Sequence, residues 1–375
     1  MPSPFHILSV VGARPNFMKI APIVRLLTSE PATFRSTVVH TGQHYDSAMS
    51  DVFFTQLGIP APDVNLNIGS GPHGQQTAAI ISAFEPLVES VKPDLVLVVG
   101  DVNSTLACAL VSAKLGVAVA HVEAGLRSFD RSMPEEINRV LTDQLSDLLF
   151  TTERSAETNL RAEGVPSKKI HFVGNVMIDT LLAHRARARE LQVHHRYGVR
   201  PRGFALLTLH RPSNVDLEPV FERLMVALTS VSRDLPILFP VHPRTRSMAM
   251  ASTAAGRLIA DGGLRILDPL GYLEFVGLMD ECGLVLTDSG GIQEESTILG
   301  VACLTLRENT ERPITVAEGT NQVVGTDPER ILAAWRRVKS CPPRARVPEL
   351  WDGHASGRIV AVLRSLAMER SRPAG

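Results

Sequence analysis

The chain predicts an α/β fold of two doubly wound parallel sheets with a cleft between them. Three observations carry this. Short apolar runs alternate with helical segments almost from end to end. Several runs are apolar throughout, as strands buried on both faces must be. The rhythm breaks once, near residues 183–203, and then restarts. At 375 residues the chain is also longer than one compact domain usually holds.

The first domain, residues 1–185, shows its clearest strands at Ile7–Val11, Thr37–Thr41, Leu95–Gly100, Val117–His121 and Leu148–Thr151. Helical segments such as Asn16–Thr28 and Asn103–Lys114 fill the intervals. The runs 184–190 and 194–203 are polar and basic; they read as a solvated helix end and a linker, not as a phosphate patch. The second domain, residues 203–355, continues with strands Phe204–Leu209, Ile237–Val241, Leu284–Thr287 and Ala302–Leu306 and with helices Glu218–Val231 and Ile292–Leu299.

Bulk composition narrows the function. A net charge of −1, from 38 basic and 39 acidic residues, provides no field for gathering nucleic acid or coating an anionic membrane. No run approaches the roughly 20 apolar residues of a membrane span. Met1–Val11 lacks a basic start and reads as a first strand, not a signal peptide. The four cysteines form no CxxC pair and read as reduced thiols of a cytoplasmic protein. His40/His44 and His194/His195 lack a helical HExxH frame or cysteine partners, so no zinc site is expected. No GxxxxGK[ST] run occurs and no dinucleotide fingerprint follows the first strand, which argues against a P-loop NTPase and an NAD-fold dehydrogenase.

In open parallel sheets, ligands sit at the carboxyl ends of the strands. Polar segments cluster there: 12–15, 41–44, 100–105, 121–123, 210–211, 242–244 and 288–291. In 287–295 two glycines, Gly290 and Gly291, let backbone approach a ligand. The following helix aims free N–H groups and its positive end at them, which suits a diphosphate. Ser289 adds a hydroxyl donor, and Glu295 a carboxylate for the two hydroxyls of a ribose. A capped strand-to-helix turn is the plainer reading of such a segment taken alone. Arg14 and Lys19 flank Pro15 at the start of a helix and are candidates to pair with a diphosphate from the other side of the cleft. Asp101 and Glu123 closely follow buried strands, where a charge is costly unless used or paired. Glu135 and Glu136 open a helix behind Pro134, which by itself would be only a favourable acidic first turn. His210, at a strand end before Arg211, is the best functional histidine.

Taken together, these segments resemble the non-hydrolysing UDP-N-acetylglucosamine 2-epimerases, of the glycosyltransferase-B type of fold. The matching runs are 12–22, Thr41-Gly-Gln-His-Tyr-Asp46, Gly100-Asp101, His121-Val-Glu-Ala-Gly-Leu-Arg127, Pro134-Glu-Glu-Ile-Asn-Arg139, His210-Arg211, 286–295, Thr310-Glu-Arg-Pro313 and Glu318-Gly-Thr320, in the family's order. The resemblance implies elimination of UDP to a 2-acetamidoglucal and its re-addition on the other C2 configuration, with no cofactor and no required metal. It implies Asp101, Glu123 and Glu135 as acid–base candidates and His210 at the diphosphate. Arg14, Lys19, Ser289, Gly290 and Arg312 then lie on the phosphate side, Glu295 at the ribose and Phe275 at the uracil. It implies a UDP-N-acetyl-hexosamine substrate, a homodimer, a role in surface polysaccharide synthesis, and a C-terminal helix near 357–370 packed back on the first domain.

Three features depart from the family pattern. The spacing from Glu123 to Pro134 is short, Leu270 replaces a frequent Gln, and the second-nucleotide site of many members keeps only Gln43 and His242. Weak or absent substrate activation is therefore expected. The alternatives are a glycosyltransferase on the same scaffold, a hydrolysing 2-epimerase, a 2-epimerase for another UDP-acetamido sugar and an inactive sugar-nucleotide sensor.

Overall fold

The computed structural model describes residues 3–42, 58, 61–241, 243–344 and 346–370, apart from the side chains of Arg14, Pro243 and Arg244. The chain divides into two compact units: residues 1–180 with 349–375, and residues 181–348.

The first unit is built on seven parallel strands: β1 (Phe5–Val11), β2 (Phe34–His40), β3 (Val64–Asn65), β4 (Leu95–Val99), β5 (Ala118–Ala124), β6 (Leu148–Thr151) and β7 (Ile170–Phe172). Their order is β3-β2-β1-β4-β5-β6-β7. Every residue of β1 and β4 is buried; β4 is apolar throughout, and β1 is apolar except for His6 and Ser9. Leu8, Val10, Val96 and Val98 pack with Ile80, Phe84, Ala107 and Val111 of the helices His73–Val91 and Asn103–Lys114. Each aliphatic side chain removed from water in this way contributes about 1.5–3 kcal/mol.

The second unit repeats the plan with β8 (Ala205–Thr208), β9 (Ile237–Pro240), β10 (Leu264–Leu267), β11 (Leu284–Thr287), β12 (Cys303–Thr305) and β13 (Asn321–Val323). The order is β10-β9-β8-β11-β12-β13, so both units are Rossmann-like sheets whose strand order reverses beside their own first strand. Leu207, Phe239, Leu286 and Leu304 pack with Phe221, Leu224 and Leu228 of the helix Glu218–Ser232 and with Trp335.

Four strands, β3, β7, β10 and β13, are not among the clear apolar runs of the sequence. They have two to four residues and lie away from the sheet centres, where less of each strand is covered. The basic stretch expected to be a solvated helix end and linker does expose most of its residues, but its apolar side is packed. The helix Val176–Glu190 runs into it, Ala188, Val193 and Val199 are buried, and Arg185 and Arg189 both pair with the buried carboxylate of Asp280. Two of the charges that make this stretch look solvated are held by a carboxylate about 90 residues away. The second unit ends at residue 348. The returning segment anchors to the first unit through the buried Trp351, whose indole N–H donates to the Thr152 carbonyl at 2.9 Å. The helix Ala355–Arg370 starts against Asp179, which accepts the N–H groups of Ala355 and Ser356.

Candidate active site

In the first unit the strand order reverses between β1 and β4, and the carboxyl ends of these strands flank the ligand crevice of such a sheet. After β1 the chain turns through Gly12 and Ala13 into the helix Arg14–Ser29, with Pro15 in its first turn. Asn16 fastens the turn: its Oδ1 accepts from the Ala13 N–H and its Nδ2 donates to the Val99 carbonyl, both at 2.8 Å. One turn further, Lys19 is buried and forms an ion pair with the equally buried Glu123. Arg14 begins this helix, but its side chain lies outside the described residues, as do Gln43 and His242 entirely.

Glu123 belongs to β5, whose register with β6 shifts between Val122 and Ala124. Its φ is +74°, a left-handed backbone that costs a non-glycine residue about 1 kcal/mol or more. The bulge re-aims the side chain. The flanking residues hold it in place. His121 is fully buried, with Nδ1 2.7 Å from Asp143 and Nε2 2.8 Å from the Gly100 carbonyl. Asp143 also accepts from the Gly125 N–H and pairs with Arg127. Burial alone would raise the Asp143 carboxyl, but the hydrogen bonds and charges of His121 and Arg127 hold it below its ordinary value.

Gly100, at φ +72°, sits over the Lys19–Glu123 pair. A Cβ there would lie 3.1 Å from the Asn16 amide and 3.3 Å from Lys19 Nζ. The next residue, Asp101, pairs with Arg139, and its carbonyl accepts from Asn138 at 2.9 Å. Arg139 grips Glu136 as well, through Nε at 3.1 Å and Nη2 at 2.7 Å. Glu136 in turn accepts the N–H groups of Ser128 and Phe129. Burial works to raise its carboxyl, and the Ser128 N–H and Arg139 bring it below the usual carboxylate range. Of the two acidic residues behind Pro134, Glu136 is thus a fastener, while Glu135 stays half-buried on the same first turn.

The run 69–74 has GxGxxG spacing, but it follows the two-residue β3 rather than β1, so it lies away from the point where strand order reverses.

In the second unit the order reverses between β8 and β11. The Thr208 and Thr287 hydroxyls meet there at 2.7 Å. Asp288 is fully buried and turns toward the end of β8. It accepts from the His210 and Arg211 N–H groups and from Asn214, and it contacts His210 Nδ1 at 2.7 Å. Burial would raise this carboxyl, but His210 and these N–H groups hold it below its ordinary value. The His210 ring itself is largely exposed. Ser289 stands at the start of the helix Gly290–Leu299 without a side-chain cap bond, and Asp288 points elsewhere. The first-turn N–H groups are therefore not capped by the side chain of either Asp288 or Ser289.

Gly290 packs against the buried Arg312, which is held by Glu294 at 2.7 Å and Glu311 at 2.5 Å. A Cβ at position 290 would come within 2.8 Å of Arg312 Cζ. Arg312 thus stands behind the glycine turn. Gly291 follows Gly290 in the first turn. Glu295, one turn along, is buried and accepts a 2.9 Å hydrogen bond from the Tyr272 hydroxyl. Burial pushes its carboxyl up to about 8, against the opposing pull of that bond. Phe275 is half-buried on the helix Tyr272–Glu281.

Within the first unit the structure therefore brings Lys19 to Glu123, and within the second it brings Gly290 to Arg312 and His210 to Asp288. Sequence reasoning assigned no role to Asn16, His121, Arg139 or Asp143. One signal was available. Glu136, Arg139 and Asp143 recur at spacings of three and four, a single polar stripe on one helix. Among the described residues no helix is long and apolar enough to cross a membrane, and no cluster of three or more His, Cys, Asp or Glu is placed to hold a metal ion.

A family model described as UDP-N-acetylglucosamine 2-epimerase matches residues 27–364. A UDP-N-acetylglucosamine 2-epimerase of Methanococcus maripaludis is 42% identical over 356 residues, covering 94% of this chain and 96% of that protein. A UDP-2,3-diacetamido-2,3-dideoxy-D-glucuronate 2-epimerase of Pseudomonas aeruginosa is 43% identical over 364 residues, covering 96% and 99%. The crystal structure of the Methanocaldococcus jannaschii UDP-GlcNAc 2-epimerase, in complex with UDP-GlcNAc and UDP, matches with a TM-score of 0.87 at 41% identity, covering 96% of this chain and all of that one.

Proposed function

The chain belongs to the UDP-N-acetylglucosamine 2-epimerase family, and we propose that it interconverts UDP-N-acetylglucosamine and UDP-N-acetylmannosamine without hydrolysing them. The C2 hydrogen has no neighbouring carbonyl, so simple removal and return of the proton is very difficult. Elimination of UDP to a 2-acetamidoglucal, followed by re-addition, avoids that carbanion. The groups for this are present in each unit. Asp101, Glu123 and Glu135 are the acid–base groups, Lys19 is the cation paired with Glu123, and Arg14, at the start of the same helix, is the second candidate cation. Ser289, Gly290 and Gly291 take the diphosphate at the helix start, with His210 at the leaving group, Glu295 on the ribose and Phe275 on the uracil. The observation that carries the reading is Glu123, a carboxylate in a strained backbone conformation, buried against Lys19 and one glycine away from Asp101.

A second reading, a 2-epimerase for a diacetamido sugar, is favoured by the 43% identity to the Pseudomonas aeruginosa protein. The chemistry is the same and the sugar differs. One experiment tests both: NMR of the protein with UDP-GlcNAc, and separately with a UDP-2,3-diacetamido uronate, in D2O without an acceptor. Deuterium at C2 of either substrate supports the reaction and names the sugar. No exchange on either, with UDP released only when a sugar acceptor is added, would make the protein a glycosyltransferase. We further read it as a cytoplasmic homodimer serving surface polysaccharide synthesis; its four unbridged cysteines suit a reducing compartment.

A further inference from the structure

The helix Pro134–Leu145 is inside out. Glu136, Asn138, Arg139, Thr142 and Asp143 are buried, while Ile137 and Leu141 are 40% and 45% exposed. A globular helix ordinarily turns its apolar stripe to the core. Burying four ionisable or amide side chains instead is costly unless each finds partners. Here each one does, and the partners lead to the reaction centre. Asn138 holds the Asp101 carbonyl and Arg139 holds the Asp101 carboxylate. Asp143 holds His121, whose other ring nitrogen meets the Gly100 carbonyl, and it also takes the Gly125 N–H. Residues 121 and 125 bracket the strained Glu123. Glu135 is on the helix itself.

We propose that Arg139 is a positioning residue for Asp101, and that the buried polar face of this helix sets Asp101 and Glu123 in place relative to Glu135. The proposal rests on the epimerase reading above and deepens it. Arg139 directs Nη1 to Asp101 and Nε with Nη2 to Glu136, a fork that fixes the guanidinium in plane. Glu136 is itself locked by the backbone of Ser128 and Phe129, so Asp101 is tied through Arg139 to the loop joining Glu123 and Glu135.

The test uses the full-length protein with UDP-GlcNAc as substrate. Wild type and Arg139→Met, Arg139→Lys, Glu136→Gln and Asp101→Asn are compared by kcat, KM, C2 exchange in D2O, UDP affinity by calorimetry and melting temperature. Arg139→Met is expected to lower kcat about 100-fold, with UDP affinity and KM within about threefold. Arg139→Lys, which restores the charge without the fork, should recover about tenfold of that loss. Glu136→Gln should lower kcat about tenfold and serves as the decisive variant if Arg139→Met does not fold. Wild-type exchange abolished by Asp101→Asn, with kcat unchanged in the Arg139 and Glu136 variants, overturns this proposal alone. Parallel losses of kcat, UDP affinity and melting temperature, with no gain from lysine, also overturn it, because they mark a structural role. No exchange by wild type on any UDP-acetamido sugar overturns the epimerase reading and this one with it.

Discussion

Lys19 and Glu123 close a buried ion pair across 104 residues of sequence, beneath a glycine at position 100 whose lack of a side chain leaves them room. Both partners are taken out of water, so neither is dispensable alone. Lys19→Met strands a buried carboxylate and is expected to lower stability by about 3–5 kcal/mol. The double variant Lys19→Met/Glu123→Gln should regain most of this. Urea unfolding of the single and double variants checks it. Equal stability of Lys19→Met and wild type would contradict the pair's energetic role.

Gly100→Ala places a methyl group 3.1–3.3 Å from Asn16 and Lys19 in a backbone conformation unfavourable to alanine. The expected result is a loss of about 1–2 kcal/mol in stability together with a fall in kcat, because the added methyl moves Lys19 from Glu123. A variant as stable and active as wild type would show that the close approach is not needed.

Asp101 and Glu123, proposed as acid–base groups, should respond differently from the proposed binding groups. Asp101→Asn and Glu123→Gln are expected to lower C2 exchange by about 100-fold or more while UDP still binds. Ser289→Ala should raise KM by several-fold and leave kcat nearly intact. The check is steady-state kinetics beside calorimetric UDP titration.

Glu295, proposed to hold the ribose, should link nucleotide binding to pH. Its carboxyl is pushed up to about 8 in the ligand-free fold, far above an unfolded glutamate. The folded state therefore holds a proton that the unfolded chain has released. This group's contribution to stability is full below the ordinary carboxyl range and is lost as pH rises through about 8. Melting temperature should fall over that window, and Glu295→Gln should flatten the fall. A ribose diol donates to the ionised carboxylate, so UDP affinity should rise between pH 7 and 8, by at most about tenfold per unit, with proton release on binding. Calorimetry in buffers of different ionisation heat measures that proton. A pH-independent affinity in wild type would refute the assignment.

Substrate dependence of the rate is expected to be hyperbolic, since the second-nucleotide motif survives here only as Gln43 and His242. Initial rates over a wide range of UDP-GlcNAc test this, and a sigmoidal curve would count against it.

Much of this molecule was legible in one dimension. The central strands β1, β4, β8 and β11 announce themselves because burial on both faces demands predominantly apolar runs, a local property. The segments after them carry the candidate chemistry because a parallel sheet presents its strand ends to ligands. Lys19, Glu123, Asp101, Ser289, Gly290 and Glu295 could thus be singled out from position and residue type.

What the sequence could not show is which charges are paired. The helix Pro134–Leu145 reads as an exposed acidic start followed by ordinary turns, yet its charged face is the buried one. The basic stretch around Arg185 and Arg189 reads as a linker, yet it closes on Asp280. In both cases a local pattern signals solvent, and a group distant in sequence pairs the charges: the helix buries its charged face, while Arg185 and Arg189 stay partly exposed over the buried Asp280. The cost of burying a charge is met only by groups that the fold brings together, so Arg139 beside Asp101, and His121 between Asp143 and Gly100, became visible only in three dimensions.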